Sequence, residues 1–137
     1  MEQLLLHLIG DYFLQSDCAA LNKNKNSKIC FIHCLLYTLP FLLLTQSILA
    51  LFLIFASHFI IDRFSLAKYL IYAKNHLNPK FKYIAWQHCN VTGYHDNPQK
   101  IQGWGHEDAR PMFITIWLYI ITDNSLHLIF NYLILNT

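Results

Sequence analysis

The chain has 137 residues, a formal net charge of +2, 55% hydrophobic residues and 13% charged ones. That length allows one domain, and the balance is more apolar and less charged than that of an ordinary soluble domain, which brings the membrane class forward. A charge this small gives no footing for nucleic-acid binding, and Cys18, Cys30, Cys34 and Cys89 lack the C-x-x-C spacing of a zinc finger or redox site.

The first segment, Glu2 to Cys18 continued by "AALN", predicts a helix over about 2–21 that crosses a bilayer or enters it part-way. It lacks a basic leader region and a small-residue cleavage site, so it reads as part of the mature protein rather than as a signal peptide. Residues 29–61 contain no Lys, Arg, Asp or Glu, and "TQS" at 45–47 divides them. Each half approaches the roughly 20 residues that a spanning helix needs. Two helices over about 28–45 and 47–72, joined by a tight turn, are expected. Residues 75–110 form the long polar stretch, with Pro79, Gly93, Pro98, Gly103 and Gly105, and read as a loop with one short helix around Phe81 to His88. A loop of this length commonly serves as a lid or contact surface. The last segment, Met112 to Leu135, follows Pro111 and predicts a helix over about 111–135.

These elements imply an all-α, integral membrane four-helix bundle, a single polytopic domain over 1–137 with a long loop between its third and fourth helices. Lys23, Lys25 and Lys28 lie in one connection, and Arg63, Lys68, Lys74, Lys80, Lys82, Lys100 and Arg110 cluster around the other. With four crossings those connections share a face, which the positive-inside rule makes cytoplasmic. The expected location is a bacterial inner membrane, with membrane lipids as partners and a homo-oligomer as an open option.

Within these apolar segments His7 and Asp11, His58 and Asp62, and Asp123 and His127 each stand four residues apart, and His33 occupies the remaining helix. Four residues is about one helical turn, so each pair shares a face. With eight His and six Asp in the chain, random placement gives roughly 0.7 such pairs. In an alternating topology all three pairs place histidine on the outer side of aspartate. An aspartate at a bilayer centre costs on the order of 2.5–3.5 kcal/mol, so three require compensation. One His–Asp pair alone is more simply a hydrogen bond between helices; three with one depth order favour a metal or proton-handling site. His7, Asp11, His33, His58, Asp62, Asp123 and His127 are the candidate ligands, and imidazole with carboxylate suits Zn²⁺ first, with Fe²⁺ or Mn²⁺ as alternatives. Asp11 or Asp62, outside the ligand set, would act as general base. Gln15 lies one turn beyond Asp11 and can hydrogen-bond along that face. His76, His88, His95 and His106 read as surface residues, although His95 and Asp96 can reach over the mouth of the site.

The blocks "LLLHLIGDYFLQSD", "HCLLYTLPFLLL", "SHFIIDRFSLAKYL", "NVTGYHDN" and "WLYIITDNSLHLIFNYL" resemble small bacterial and phage membrane proteins grouped as domain of unknown function 3307. The resemblance runs across nearly the whole chain and implies a polytopic inner-membrane protein of bacterial, phage or prophage origin, without a reaction. A looser likeness, in residue type and placement, is to membrane-bound metal-dependent hydrolases. The leading expectation is therefore a membrane-embedded metal-dependent hydrolase acting on a lipid or lipid-linked substrate. A proton- or ion-conducting, transporter-like oligomer is the second reading, and a non-catalytic phage or defence-associated membrane partner the third.

Overall fold

A computed structural model of the chain describes residues 2–76 and 112–137, and every regular element among them is helical. Helix α1 (Glu2–Leu8) runs into a π-helical turn over Ile9–Phe13; α2 covers Asp17–Asn22; α3 (Ser27–Thr38) continues as a 3₁₀ turn over Leu39–Leu43; α4 covers Ile48–Phe64, α5 Leu66–His76 and α6 Met112–Leu135. The expected loop and its short helix fall largely outside the described residues. Two compact units divide the chain, one made of 1–66 with 124–137, the other of 67–123. In the second, Ala67 and Ile71 of α5 are buried one turn apart.

Local chemistry sets the breaks in the first unit. The continuous helix expected over 2–21 is interrupted, because Ser16 leaves helical geometry and its hydroxyl accepts the Ala19 N–H at 3.3 Å, starting α2 afresh. Asn26 caps α3 by accepting from the Lys28 and Ile29 amides, and Ser47, the last residue of "TQS", caps α4 through the Ala50 amide. The helix expected over 47–72 stops at Ser65, a non-glycine residue at φ 49° whose N–H returns to the Asp62 carbonyl at 3.2 Å.

Helices α3, α4 and α6 bury strips at every fourth residue. On α3 the strip is His33, Tyr37 and Phe41; on α4 it is Ile54, His58 and Asp62; on α6 it is His127 and Asn131. Leu6, Tyr37, Phe41 and Ile54 form an apolar cluster, with Ile9, Leu44, Leu51, Ile134 and Leu135 packed around it. Polar residues continue the same strips beyond that cluster. The outward faces are apolar: Phe13, Leu43 and Ile48 are 88%, 82% and 84% exposed, the reverse of a water-soluble distribution. Among the described residues, 116–135 of α6 is the stretch long and apolar enough, by length and composition, to cross a membrane; Ser27–Leu43 is a shorter apolar one.

The π turn brings α1 against α3, and Gly10 is what permits the approach. A Cβ there would lie 2.6 Å from the Tyr37 ring and 3.1 Å from the Tyr37 carbonyl oxygen. One neighbour is backbone and cannot swing aside, so Gly10→Ala should cost about 1–3 kcal/mol as an overpacking change. Thermal unfolding of the purified protein checks this; an unchanged midpoint would mean that the two segments are not held this closely.

Candidate metal centre

The π turn widens α1 by one residue at the point where Asp11 turns inward, a distortion that recurs at functional positions in helices. Asp11 thereby meets His33 from α3 and both His58 and Asp62 from α4, and all four residues are buried. His33 Nε2 lies 3.1 Å from His58 Nε2, 3.2 Å from Asp11 Oδ1 and 3.2 Å from Asp62 Oδ2. His58 Nε2 lies 3.1 Å from Asp62 Oδ2 and 3.4 Å from Asp11 Oδ1.

Hydrogen bonding cannot account for this convergence. Each Nε2 carries at most one proton, directed along one line, yet each faces three lone-pair atoms within 3.4 Å. A cation between the four atoms satisfies them together. Five of the six separations among these donor atoms are 3.1–3.4 Å, and the sixth, between the two carboxylate oxygens, is within 4.8 Å. The four residues can therefore hold a metal ion.

The neighbours fix the ligands' orientation. His58 is stacked between Tyr37, 3.6 Å away between ring centroids, and His127, 4.0 Å away. His127 Nε2 approaches the other oxygen of Asp62, Oδ1, at 3.4 Å, so one carboxylate faces the cluster with one oxygen and His127 with the other. His7 is locked differently. The Asn131 amide donates to the Tyr37 hydroxyl at 2.7 Å, and that hydroxyl donates to His7 Nδ1 at 2.8 Å. His7 Nε2 then carries the proton and donates to Asn124 Oδ1 at 2.7 Å, while Asn124 Nδ2 donates to the Tyr12 hydroxyl at 2.8 Å. With both nitrogens engaged, His7 stands beside the four-atom cluster, its Nε2 3.7 Å from Asp11 Oδ2.

Of the seven candidates from the sequence, Asp11, His33, His58 and Asp62 converge directly, His127 and His7 flank them, and Asp123 stands one turn ahead of His127 in the second unit. Asp11 and Asp62 fall inside the ligand cluster, so neither is the outlying base that the sequence suggested. Gln15 lies in the break between α1 and α2, so it does not extend the Asp11 face as a helical residue would. His88, His95, Asp96 and His106 lie outside the described residues.

The structure adds a residue that the sequence assigned to topology alone. Lys23, directly after α2, places Nζ 2.9 Å from Asp62 Oδ2 and 3.8 Å from Asp11 Oδ1. Arg63 holds that turn in place, its Nε donating to Ser27 Oγ at 2.9 Å and its Nη1 to the Asn24 carbonyl. Tyr37 and Asn131 were also missed, although each sits four residues beyond a candidate histidine on the same strip.

A family model described as "Protein of unknown function (DUF3307)" matches residues 1–92. The chain belongs to the DUF3307 family. The matched part of this DUF3307 protein contains the four converging residues, Lys23 and Arg63, whereas His127 on α6 lies beyond it. No curated protein and no solved structure matches the chain.

Removal of a converging side chain and of a neighbour should separate by degree. His58→Ala should abolish retention of zinc or cobalt by the purified protein. Tyr37→Leu, which loses the ring stacked on His58, should weaken it by about 10- to 100-fold, as loss of ligand-orienting contacts does. Cobalt absorption titrations measure both, and equal affinities for wild type and His58→Ala would remove His58 from the centre.

Proposed function

We propose that this DUF3307 protein is a multi-pass inner-membrane protein that binds a divalent metal, zinc by preference, and uses it to hydrolyse a lipid or lipid-linked substrate. The observation that carries the reading is the convergence of Asp11 Oδ1, His33 Nε2, His58 Nε2 and Asp62 Oδ2 on one buried point, all within 4.8 Å of one another. The membrane placement is supported by the inverted distribution, with histidine, aspartate and asparagine inside and large apolar side chains outside.

A bound divalent ion supplies Lewis acidity and lowers the pKa of a coordinated water. Four protein donors fill a tetrahedron, as in structural sites, and hydrolysis needs a free position. Asp62 is the ligand suited to yield one, because its Oδ1 already faces His127 and the carboxylate can turn toward that partner. His127, close to the cluster but outside the four donors, faces that oxygen with Nε2 and is placed to donate to the carboxylate and hold it there. Asp11 and His33 keep the ion in place. The outward apolar faces bring a lipid within reach of the site without its leaving the bilayer.

The experiment is metal analysis of the detergent-purified protein followed by hydrolysis assays on phospholipid and acyl-lipid substrates. One ion per chain is expected, with activity lost on chelation and recovered on zinc addition. His127→Leu, which removes the donor that holds the turned Asp62 carboxylate, should keep the ion and lower turnover by about 10- to 100-fold, the usual effect of losing a ligand-orienting partner. Full metal occupancy with no hydrolysis in any assay would leave a structural metal site and end the hydrolase reading. Proton flux through protein-containing liposomes, abolished by His58→Ala, would favour the conducting alternative.

A further inference from the structure

Arg63, near the end of α4, bonds to Ser27 Oγ and to the Asn24 carbonyl at the start of α3, so the two helices run antiparallel, and their two ends differ in charge. At one end Thr45, Gln46 and Ser47 carry none. At the other Lys25, Lys28 and Arg63 gather around one turn, and between Asp17 and Asp62 the chain has no acidic residue. Lys25 and Lys28 are exposed, and among the described residues none of the three cations pairs with a carboxylate. Lys23, on the same connection, is turned inward to Asp62 and Asp11 and is not one of the group. Arg63 spends two of its five N–H donors on the turn.

Beyond these charges the surface is apolar. Lys28, Ile32, Leu35, Leu39 and Leu42 follow at helical spacing along one stripe of α3 and its 3₁₀ continuation, all exposed. A cation thus heads a run of hydrocarbon side chains, the complement of a phospholipid with an anionic head.

We infer that this end of the α3 and α4 pair is a docking surface for anionic phospholipid, with the phosphate against Lys25, Lys28 and Arg63 and an acyl chain along the α3 stripe. This rests on the membrane reading above and not on the metal, and it names the lipid class that the surface selects. A zwitterionic lipid would bring its own cation beside three unpaired ones, whereas an anionic lipid lowers the repulsion among them. A soluble phosphate meets the charges but leaves the stripe uncovered. A second copy docked here by a two-fold axis would set the same cations against each other. Asp62 and Arg63 are consecutive, one turned to the buried cluster and the other to the turn, so the headgroup stands beside the end of α4 that carries a metal-centre residue.

The test uses the full chain reconstituted in phosphatidylcholine vesicles that contain trace spin-labelled phosphatidylglycerol or spin-labelled phosphatidylcholine. The immobilised fraction of each label gives its relative affinity for the protein surface. A basic residue near an anionic surface is worth roughly fivefold at its own position, and much of the lipid-facing boundary is uncharged, so wild type should prefer phosphatidylglycerol by about two- to threefold on average. That preference should collapse at about 1 M salt, where the screening length is about 3 Å. Lys25→Gln/Lys28→Gln should lose at least half of it, and Lys25→Arg/Lys28→Arg should keep it. Equal affinity of wild type for both labels, a preference that survives high salt, or an unchanged preference in Lys25→Gln/Lys28→Gln each overturns the docking surface. Loss of the preference in millimolar inorganic phosphate at constant ionic strength assigns the charges to a soluble anion and overturns it as well. A chain that stays soluble without detergent and immobilises neither label fails the membrane reading, and the docking surface falls with it.

Discussion

Everything in the first unit follows from the convergence of two carboxylates and two imidazoles on one buried point. The four donor atoms lie within 4.8 Å of one another, so the two aspartate charges alone repel by about 3–4 kcal/mol at an effective dielectric of about 20. Helices do not bring such groups together for packing. Leucine at the same positions would close the bundle with no desolvation cost. The arrangement requires compensating positive charge: Lys23 Nζ stands 2.9 Å from Asp62 Oδ2 and 3.8 Å from Asp11 Oδ1, and the four residues can hold a metal ion.

That requirement explains the layering. Along α3 and α4 the buried strips pass from Phe41 and Ile54 through Tyr37 and His58 to His33 and Asp62. The apolar end acts as a plug that aligns the helices, the aromatic middle orients the imidazoles by stacking, and the polar end holds the donors. Tyr37 belongs to all three: it packs in the apolar cluster, stacks on His58 and anchors His7 through its hydroxyl. The glycine in "HLIGD" belongs to the same design. Without a Cβ at position 10, the π turn can lie against the Tyr37 backbone and deliver Asp11 to the partners on α3 and α4.

The sequence made part of this legible through periodicity. His58 and Asp62 sit four apart, and on a helix that spacing gives one face; they meet at 3.1 Å. His33 was suggested because it occupies the one helix without a His–Asp pair, and it approaches every other member of the cluster. Residues governed by tertiary approach were harder to find. Lys23 reads as one of several basic residues near a helix end, and nothing in its neighbours indicates that the turn before α3 folds back over Asp62. His7 and Asp11 have the same spacing as His58 and Asp62, but the π turn intervenes between them, so His7 ends in a hydrogen-bond chain while Asp11 enters the cluster. Helix breaks at Leu14–Ser16 and at Ser65 depend on caps and a left-handed residue rather than on hydropathy, which stays apolar on both sides.

Asp62 is where these constraints meet most closely. One oxygen is shared among His33, His58 and Lys23, and the other faces His127. A carboxylate that only bound metal would need no partner on its second oxygen, and one that only joined helices would need no lysine on its first. Holding both lets the side chain rotate between two sets of contacts without leaving a buried oxygen bare, which would otherwise cost about 1–3 kcal/mol. Ser65 closes α4 three residues later, its N–H on the Asp62 carbonyl, so the backbone beneath this carboxylate is held. A held main chain under a carboxylate with partners on both oxygens is the combination the proposed metal site would need in order to open a coordination position and close it again.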